Sequence, residues 1–225
     1  MRRRLMFADR AEAGRVLAAR LTELELELEN PLVLALPRGG VPVGAEVARA
    51  LCAPLDVAFA RKIGAPDQPE LAVAAVAGRA DAPEIVVHAE LVRSLGVSQD
   101  YILDSAAREL AQIERQREQY QAGRPIADAK GHTAIVVDDG VATGMTMQAA
   151  LRDLRRRQPA RLIAATPVAA RDAATMLRQE ADVAVLLSVP RRFGSVGAFY
   201  RTFAQVSDDE VISLLQVCNA RHVPG

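Results

Sequence analysis

The chain has no tryptophan, and aromatic residues make up only 4% of its 225 residues. A protein so short of large rings has little with which to build stacking surfaces, and its core must be mainly aliphatic. Cysteine is scarce too. Cys52 and Cys218 form no spaced pair and stand near no histidine cluster, which argues against a zinc site or a disulfide framework. They read as free thiols in a reducing compartment. His88 and His132 have no partners at metal-ligand spacing. Neither sign of charge dominates: 28 Lys and Arg balance 28 Asp and Glu. No global field draws in nucleic acid or an anionic membrane, so no nucleic-acid partner is expected. No apolar run approaches the length of a membrane span. The opening MRRRLMFADRAEAG has too short an apolar patch for a signal peptide. The expectation is a cytoplasmic protein without a membrane partner.

What the chain does have is apolar residues, half of the total, laid out as an alternation of two patterns. PLVLAL, LDVAFA, HTAIVV, ARLIAA and ADVAVLLSV are continuous apolar runs. Helical spacing separates them, as in VPVGAEVARAL, Ser98 to Gln121, TMQAALRDLRRR and RDAATMLRQE. Continuous apolar strands are strands covered on both faces, which predicts an α/β fold with a mostly parallel twisted sheet and helices on both sides. Asp9 and Glu12 are spaced like a capping box at the start of a first helix. ELELELEN fits a frayed helix end and a short strand equally well. One domain over 1–225 is expected, with 71–131 as an elaboration that includes a long helix and 190–225 as a hood and closing helix.

Ligands of such sheets bind beyond the carboxyl ends of the strands. The exit after Val137 reads DDGVATGMT. Gly140 and Gly144 allow a tight bend and close backbone approach. A helix beginning near Thr146 offers unpaired amides at its positive end, and Thr143 and Thr146 add hydroxyl donors. Together these make a cup for a phosphate monoester. Asp138 and Asp139 cannot face that phosphate, because like charges repel. They must face hydrogen-bond donors such as sugar hydroxyls, or a hydrated cation. An ordinary capped turn would explain one aspartate and leaves the rest of the pattern without a reason.

IVVDDGVATGMT resembles the signature of the type I phosphoribosyltransferases, an apolar strand, two acids, and a loop ending Thr-Gly-x-Thr. FADRAEAG, LALPRGGVPVGAEVARAL, RKIGAPDQPELAVAAVA and FYRTFAQVSDDEV extend the resemblance along nearly the whole chain, toward an uncharacterised subgroup of that family. The resemblance implies 5-phosphoribosyl-1-pyrophosphate (PRPP) as a ligand, bound with magnesium and without a direct protein metal site. It implies that Asp138 and Asp139 bind the ribose hydroxyls, directly or through water around the metal. Gly140, Val141, Ala142, Thr143, Gly144, Met145 and Thr146 would hold the 5-phosphate. Arg38, Gly39 and Gly40 match the pyrophosphate loop, which often carries a cis peptide. Arg61 and Lys62, read as the next strand exit, resemble a cation pair aimed at the same pyrophosphate; ordinary surface cations are the other reading.

With those parts a nitrogen nucleophile would attack C1 of the ribose as pyrophosphate leaves. Catalysis would rest on positioning and electrostatics, with Asp138, Asp139, Arg38 and Lys62 as the principal groups. Phe193, Phe199 and Tyr200 are placed to stack on a flat heterocyclic base, although core packing suits at least two of them. Two other readings stand beside transfer: a regulator that binds PRPP or a nucleotide without turnover, and a hydrolase or phosphorylase acting on a ribosyl phosphate. A homo-oligomer fits any of the three.

Overall fold

Alternate residues of one strand set the architecture. Val33 and Ala35 point to one side of β1 (Pro31–Ala35), while Leu32 and Leu34 point to the other, and all four are buried. The same division holds in β6 (Thr133–Val137), every residue of which is buried, and in β7 (Arg161–Val168). A strand apolar on both faces has to be covered on both. Here α1 (Arg10–Glu23), α2 (Gly40–Ala50) and α7 (Asp208–Asn219) contribute to the core on one face, and α5 (Met145–Arg156) and α6 (Arg171–Glu180) to the core on the other. The computed structural model describes residues 6–24, 28–121 and 127–220. It completes the large sheet with β2 (Leu55–Val57) and β8 (Val183–Ser188), in the order β2-β1-β6-β7-β8, parallel throughout. The α/β expectation is met, and β6 lies in the middle.

The run LDVAFARKIG is not one strand. It leaves the large sheet after Val57 and enters a second, three-stranded antiparallel sheet of β3 (Ala60–Ala65), β4 (Gln68–Arg79) and β5 (Ala82–Val87). α4 (Gln99–Gln121) contributes Ile102, Ala106, Leu110 and Ile113 to the same core as Ile63, Val73 and Val76 of this sheet. Met145 and Ala149 of α5 pack against Ala75, Ala77 and Val86 of the same sheet. A short α3 (Ala89–Leu95) joins β5 to α4. The first helix starts where the capping pair predicts: Asp9 Oδ1 accepts the Glu12 amide at 2.8 Å, and Glu12 in turn takes the Ala8 amide. The alternating segment ELELELEN divides: α1 ends at Glu23, and 25–27 lie outside the described residues. Among the described residues, no helix is long and apolar enough to cross a membrane.

Candidate active site

The loops that leave β1 and β6 stand side by side because those strands are paired, with Ala35 opposite Val137. The β1 loop, Pro37 to Gly39, contains a cis peptide between Pro37 and Arg38. The β6 loop begins with the two acids. Contact between the loops is so close that only glycine fits: a β-carbon on Gly39 would lie 2.2 Å from Asp139 Oδ2, and one on Gly40 2.6 Å from the Val137 carbonyl. With residues 203–206 these loops line an open cleft of about 440 Å³.

Each acid has one oxygen tied down by the protein. Asp138 Oδ1 accepts the Asp139 amide at 2.8 Å. Asp139 Oδ2 accepts Arg10 Nε at 2.7 Å. The remaining two oxygens, Asp138 Oδ2 and Asp139 Oδ1, take no hydrogen bond from a described donor. Asp139 is only 8% exposed. Burial first, and the neighbouring Asp139 charge next, hold the Asp138 carboxyl well above the usual carboxylate range. Burial raises Asp139 as well, against the pull of its hydrogen bond from Arg10.

The segment that follows is pinned at one point and open beyond it. Val141 donates its amide to the Val168 carbonyl at 2.8 Å and accepts from the Ala170 amide at 2.8 Å, a bridge to the β7 exit. Its amide is therefore engaged, and the expected role of Val141 as a phosphate donor is corrected on that ground. From Ala142 to Met147 no described acceptor takes a backbone amide; the Gln148 amide closes the first helical bond, to Gly144. Gly144 has φ +84°, the left-handed conformation that turns the chain into α5 and that a side chain would resist. Ala142 and Thr143 are exposed at this turn. A row of unclaimed amides at the start of a helix is a place for an anion.

Two groups of expected residues lie elsewhere. Arg61 and Lys62 are inside β3 and not at a strand exit. Arg61 Nε donates to Glu109 of α4 at 2.5 Å, and Lys62 Nζ to Glu70 at 2.7 Å. They line a second cleft of about 480 Å³ with Tyr101, Ser105 and Arg108, and none of its lining residues is shared with the acid-pair cleft. It is the larger of the two, and Arg61 and Lys62 are each paired there with a carboxylate. Phe193, Phe199 and Tyr200 do not offer ring faces to the acid-pair cleft either. Phe199 and Tyr200 are 1% and 6% exposed and pack with Phe7 and Val168, and Phe193 tilts against Phe199 at 5.6 Å. Phe199 and Tyr200 belong to the core, and Phe193 is half-buried against it.

Tyr200 has a different task. Its hydroxyl donates to the Asp139 backbone carbonyl at 2.5 Å and fastens the acid loop to the roof from behind. Burial pushes the phenol up, so it stays neutral and a donor. Tyr200→Phe leaves that buried carbonyl without its donor. A loss of about 1–3 kcal/mol is expected, seen as a fall in Tm of roughly 2–10 °C.

Two residues at the cleft had no assignment from the sequence, Arg10 and Phe203. Arg10 Nη1 donates to the Ala204 carbonyl at 2.6 Å, and its guanidinium lies 3.9 Å from the Phe203 ring centre. Arg38, at the pyrophosphate loop position, reaches Asp208 at 3.8 Å, and Asp208 also accepts the Tyr120 hydroxyl.

A parallel sheet, a glycine-tight loop after its first strand, paired acids just after its central strand and a turn of unclaimed amides beyond them make up the site of an α/β protein. The chain belongs to the phosphoribosyl transferase domain family, whose model matches residues 8–198. Among solved structures it is similar to TT1426 from Thermus thermophilus, 42% identical, with a TM-score of 0.76 over 93% of this chain and 97% of that one. It is 39% identical over 210 residues to Rv0571c of Mycobacterium tuberculosis strain H37Rv and to MT0597 of strain CDC 1551, both of which carry the words phosphoribosyl transferase in their names. The match takes in 93% of this chain and 46% of each of those proteins, so the chain spans about half the length of the curated relatives it matches.

Proposed function

We propose that the chain is a phosphoribosyltransferase that binds PRPP at the acid-pair cleft and transfers its ribose 5-phosphate to a nitrogen acceptor. The observation that carries this reading is the pair of unclaimed carboxylate oxygens on Asp138 and Asp139, next along the chain to the unclaimed amides of Ala142 to Met147. Two adjacent acceptors suit a vicinal diol. A row of amides with the Thr143 and Thr146 hydroxyls suits a phosphate ester. A ribose 5-phosphate presents both groups.

The pyrophosphate would then lie over Pro37 to Gly39, where no side chain stands between loop and acids and Arg38 reaches from the rim. As the acceptor nitrogen forms its bond to C1, the C1–O bond breaks and its electron pair departs on pyrophosphate. The acceptor's proton passes to solvent. Positive charge develops on the sugar beside Asp138 and Asp139, and negative charge grows on the leaving group beside Arg38. Both are stabilised in place, which is the electrostatic form of catalysis. No protein nucleophile is needed.

Among the described residues no cluster of three or more His, Cys, Asp or Glu side chains could cage a metal. Two carboxylate oxygens with room for ligand oxygens and water do fit magnesium, which commonly takes one or two carboxylates and completes its shell from the substrate's phosphates. Carried in with PRPP it would neutralise pyrophosphate charge, and Asp138 and Asp139 would face it through its water or through the ribose hydroxyls they hold. The same reading takes 1–225 as one domain and places it in the cytoplasm.

The test measures binding of ribose 5-phosphate and PRPP by calorimetry with magnesium, then pyrophosphate release across purine, pyrimidine and pyridine acceptors. Binding of both sugars together with acceptor-dependent release is expected. Release that needs no acceptor would make the protein a hydrolase, PRPP binding with no release would make it a sensor, and failure to bind either sugar would end the reading.

A further inference from the structure

Two stretches singled out in the sequence, FADRAEAG and FYRTFAQVSDDEV, have no part in holding the sugar, its phosphate or pyrophosphate. The fold brings them together. Phe7 donates its amide to the Phe199 carbonyl and accepts from the Arg201 amide, both at 2.8 Å, and the Thr202 amide donates to the Ala8 carbonyl at 2.9 Å. This short parallel strap carries Arg10 and Phe203 to the cleft, where Arg10 meets Asp139. The wall they form with Ala204, Gln205 and Val206 is the part of the cleft that the ribose phosphate reading leaves unused.

The chemistry of that wall is polar. Phe203 is 39% exposed, but its ring is covered by the Arg10 guanidinium at 3.9 Å, and Tyr200 and Gly197 pack against it elsewhere. A base stacking on the face toward Arg10 would have to displace the guanidinium. What the wall does offer is the guanidinium itself. Nε is fixed by Asp139 and Nη1 by the Ala204 carbonyl, while Nη2 has no partner among the described residues. The ring beneath fixes the plane, so this last nitrogen is held at one position. Gln205, which is exposed, lines the same cleft. Arg10 is also the first residue of α1, where a cation opposes the helix dipole. A guanidinium kept there against the dipole, with two of its three nitrogens anchored, is suited to recognising an oxygen anion.

We infer that Arg10 determines acceptor specificity and that the acceptor is a nitrogen nucleophile carrying a carboxylate, held through Arg10 rather than by ring stacking. This rests on the ribose phosphate reading of the same cleft.

The test compares acceptors that differ only in this group: nicotinate with nicotinamide, orotate with uracil, and anthranilate with anthranilamide. Pyrophosphate release is measured with wild type, Arg10→Lys and Arg10→Met, and acceptor binding to the PRPP-loaded protein by calorimetry. In the wild type at least one carboxylate should exceed its neutral partner in kcat/KM or affinity by ~10-fold or more. That ratio should fall to about one in Arg10→Met, mainly through KM, and survive in part in Arg10→Lys, which keeps the charge without the planar fork. A role in folding alone would lower both members of a pair equally and leave the ratio unchanged, and that outcome overturns the assignment. So does a wild type that binds PRPP yet prefers the neutral partner, or neither bound nor turned over. An Arg10→Met protein weakened toward PRPP but not ribose 5-phosphate would give the guanidinium to pyrophosphate instead. Failure of the wild type to bind either sugar removes the ribose phosphate reading itself, which distinguishes the two failures.

Discussion

Asp138→Asn should melt higher than the wild type at about pH 8 while losing ~100-fold or more in PRPP-dependent turnover. The two effects have one origin. Burial and Asp139 raise the Asp138 carboxyl well above its unfolded value. The folded state therefore holds this proton over a range in which the unfolded chain has released it. The stability attached to the group is fully present below the unfolded pKa, near 4, and is lost as pH rises toward the folded pKa. Asparagine has nearly the same shape and no charge to bury, so the variant should escape that loss. Each kcal/mol recovered is worth roughly 2–4 °C in a domain of this size. Melting curves from about pH 4 to about pH 8 check this: the two proteins should coincide at the acid end and separate as pH rises. Parallel curves would mean that Asp138 is not strained by its surroundings. The lost turnover follows because asparagine turns one of the two open acceptors of the cleft into an amide.

Gly39→Ala is expected to damage the site through a single methyl group. Its β-carbon would stand 2.2 Å from Asp139 Oδ2, well inside contact distance. The loop cannot yield easily, because the next residue is also packed too tightly for a β-carbon, which on Gly40 would lie 2.6 Å from the Val137 carbonyl. The carboxylate would have to swing away, and it would take with it the bond to Arg10. A displacement on the order of 1 Å at a reacting centre costs about 100-fold in rate. The predicted result is a fall of at least ~100-fold in kcat/KM with calorimetric affinity for PRPP reduced in parallel. An active Gly39→Ala enzyme would show that Asp139 is not held where the sugar binds.

The parts of this site that were legible in the sequence are those built from one continuous stretch. The strand, acids and turn of 133–146 form a local unit, and a local unit carries its geometry in its spacing. The glycines of Pro37 to Gly40 were legible because close approach leaves no other residue type. Arg61 and Lys62 were misplaced for a physical reason. The large-sheet strand β2 is only three residues long, and the chain passes from one sheet to the other across Ala58 and Phe59 without a polar break. Hydrophobicity alone cannot show where one sheet ends and another begins. The aromatic residues were misjudged because nearness in sequence to a strand exit says nothing of which way a ring turns. Phe199 and Tyr200 turned inward, and Phe203, three residues on, faces the cleft. Arg10 is 129 residues away from the acid it binds, beyond the reach of any local pattern. One signal did exist: an arginine directly after a capping aspartate puts a positive charge at the helix end that disfavours it.

The acids hang from a strand that has neighbours on both sides. β6 is bonded to β1 and β7 along its whole length, and it has no edge from which to fray. Shifting the strand end that carries Asp138 and Asp139 would mean parting the sheet, an opening close in free energy to unfolding the chain. The roof, by contrast, is an extended segment with exposed side chains at 203–205. Substitutions along 203–205 can therefore reshape the rim of the cleft while the acids keep their place.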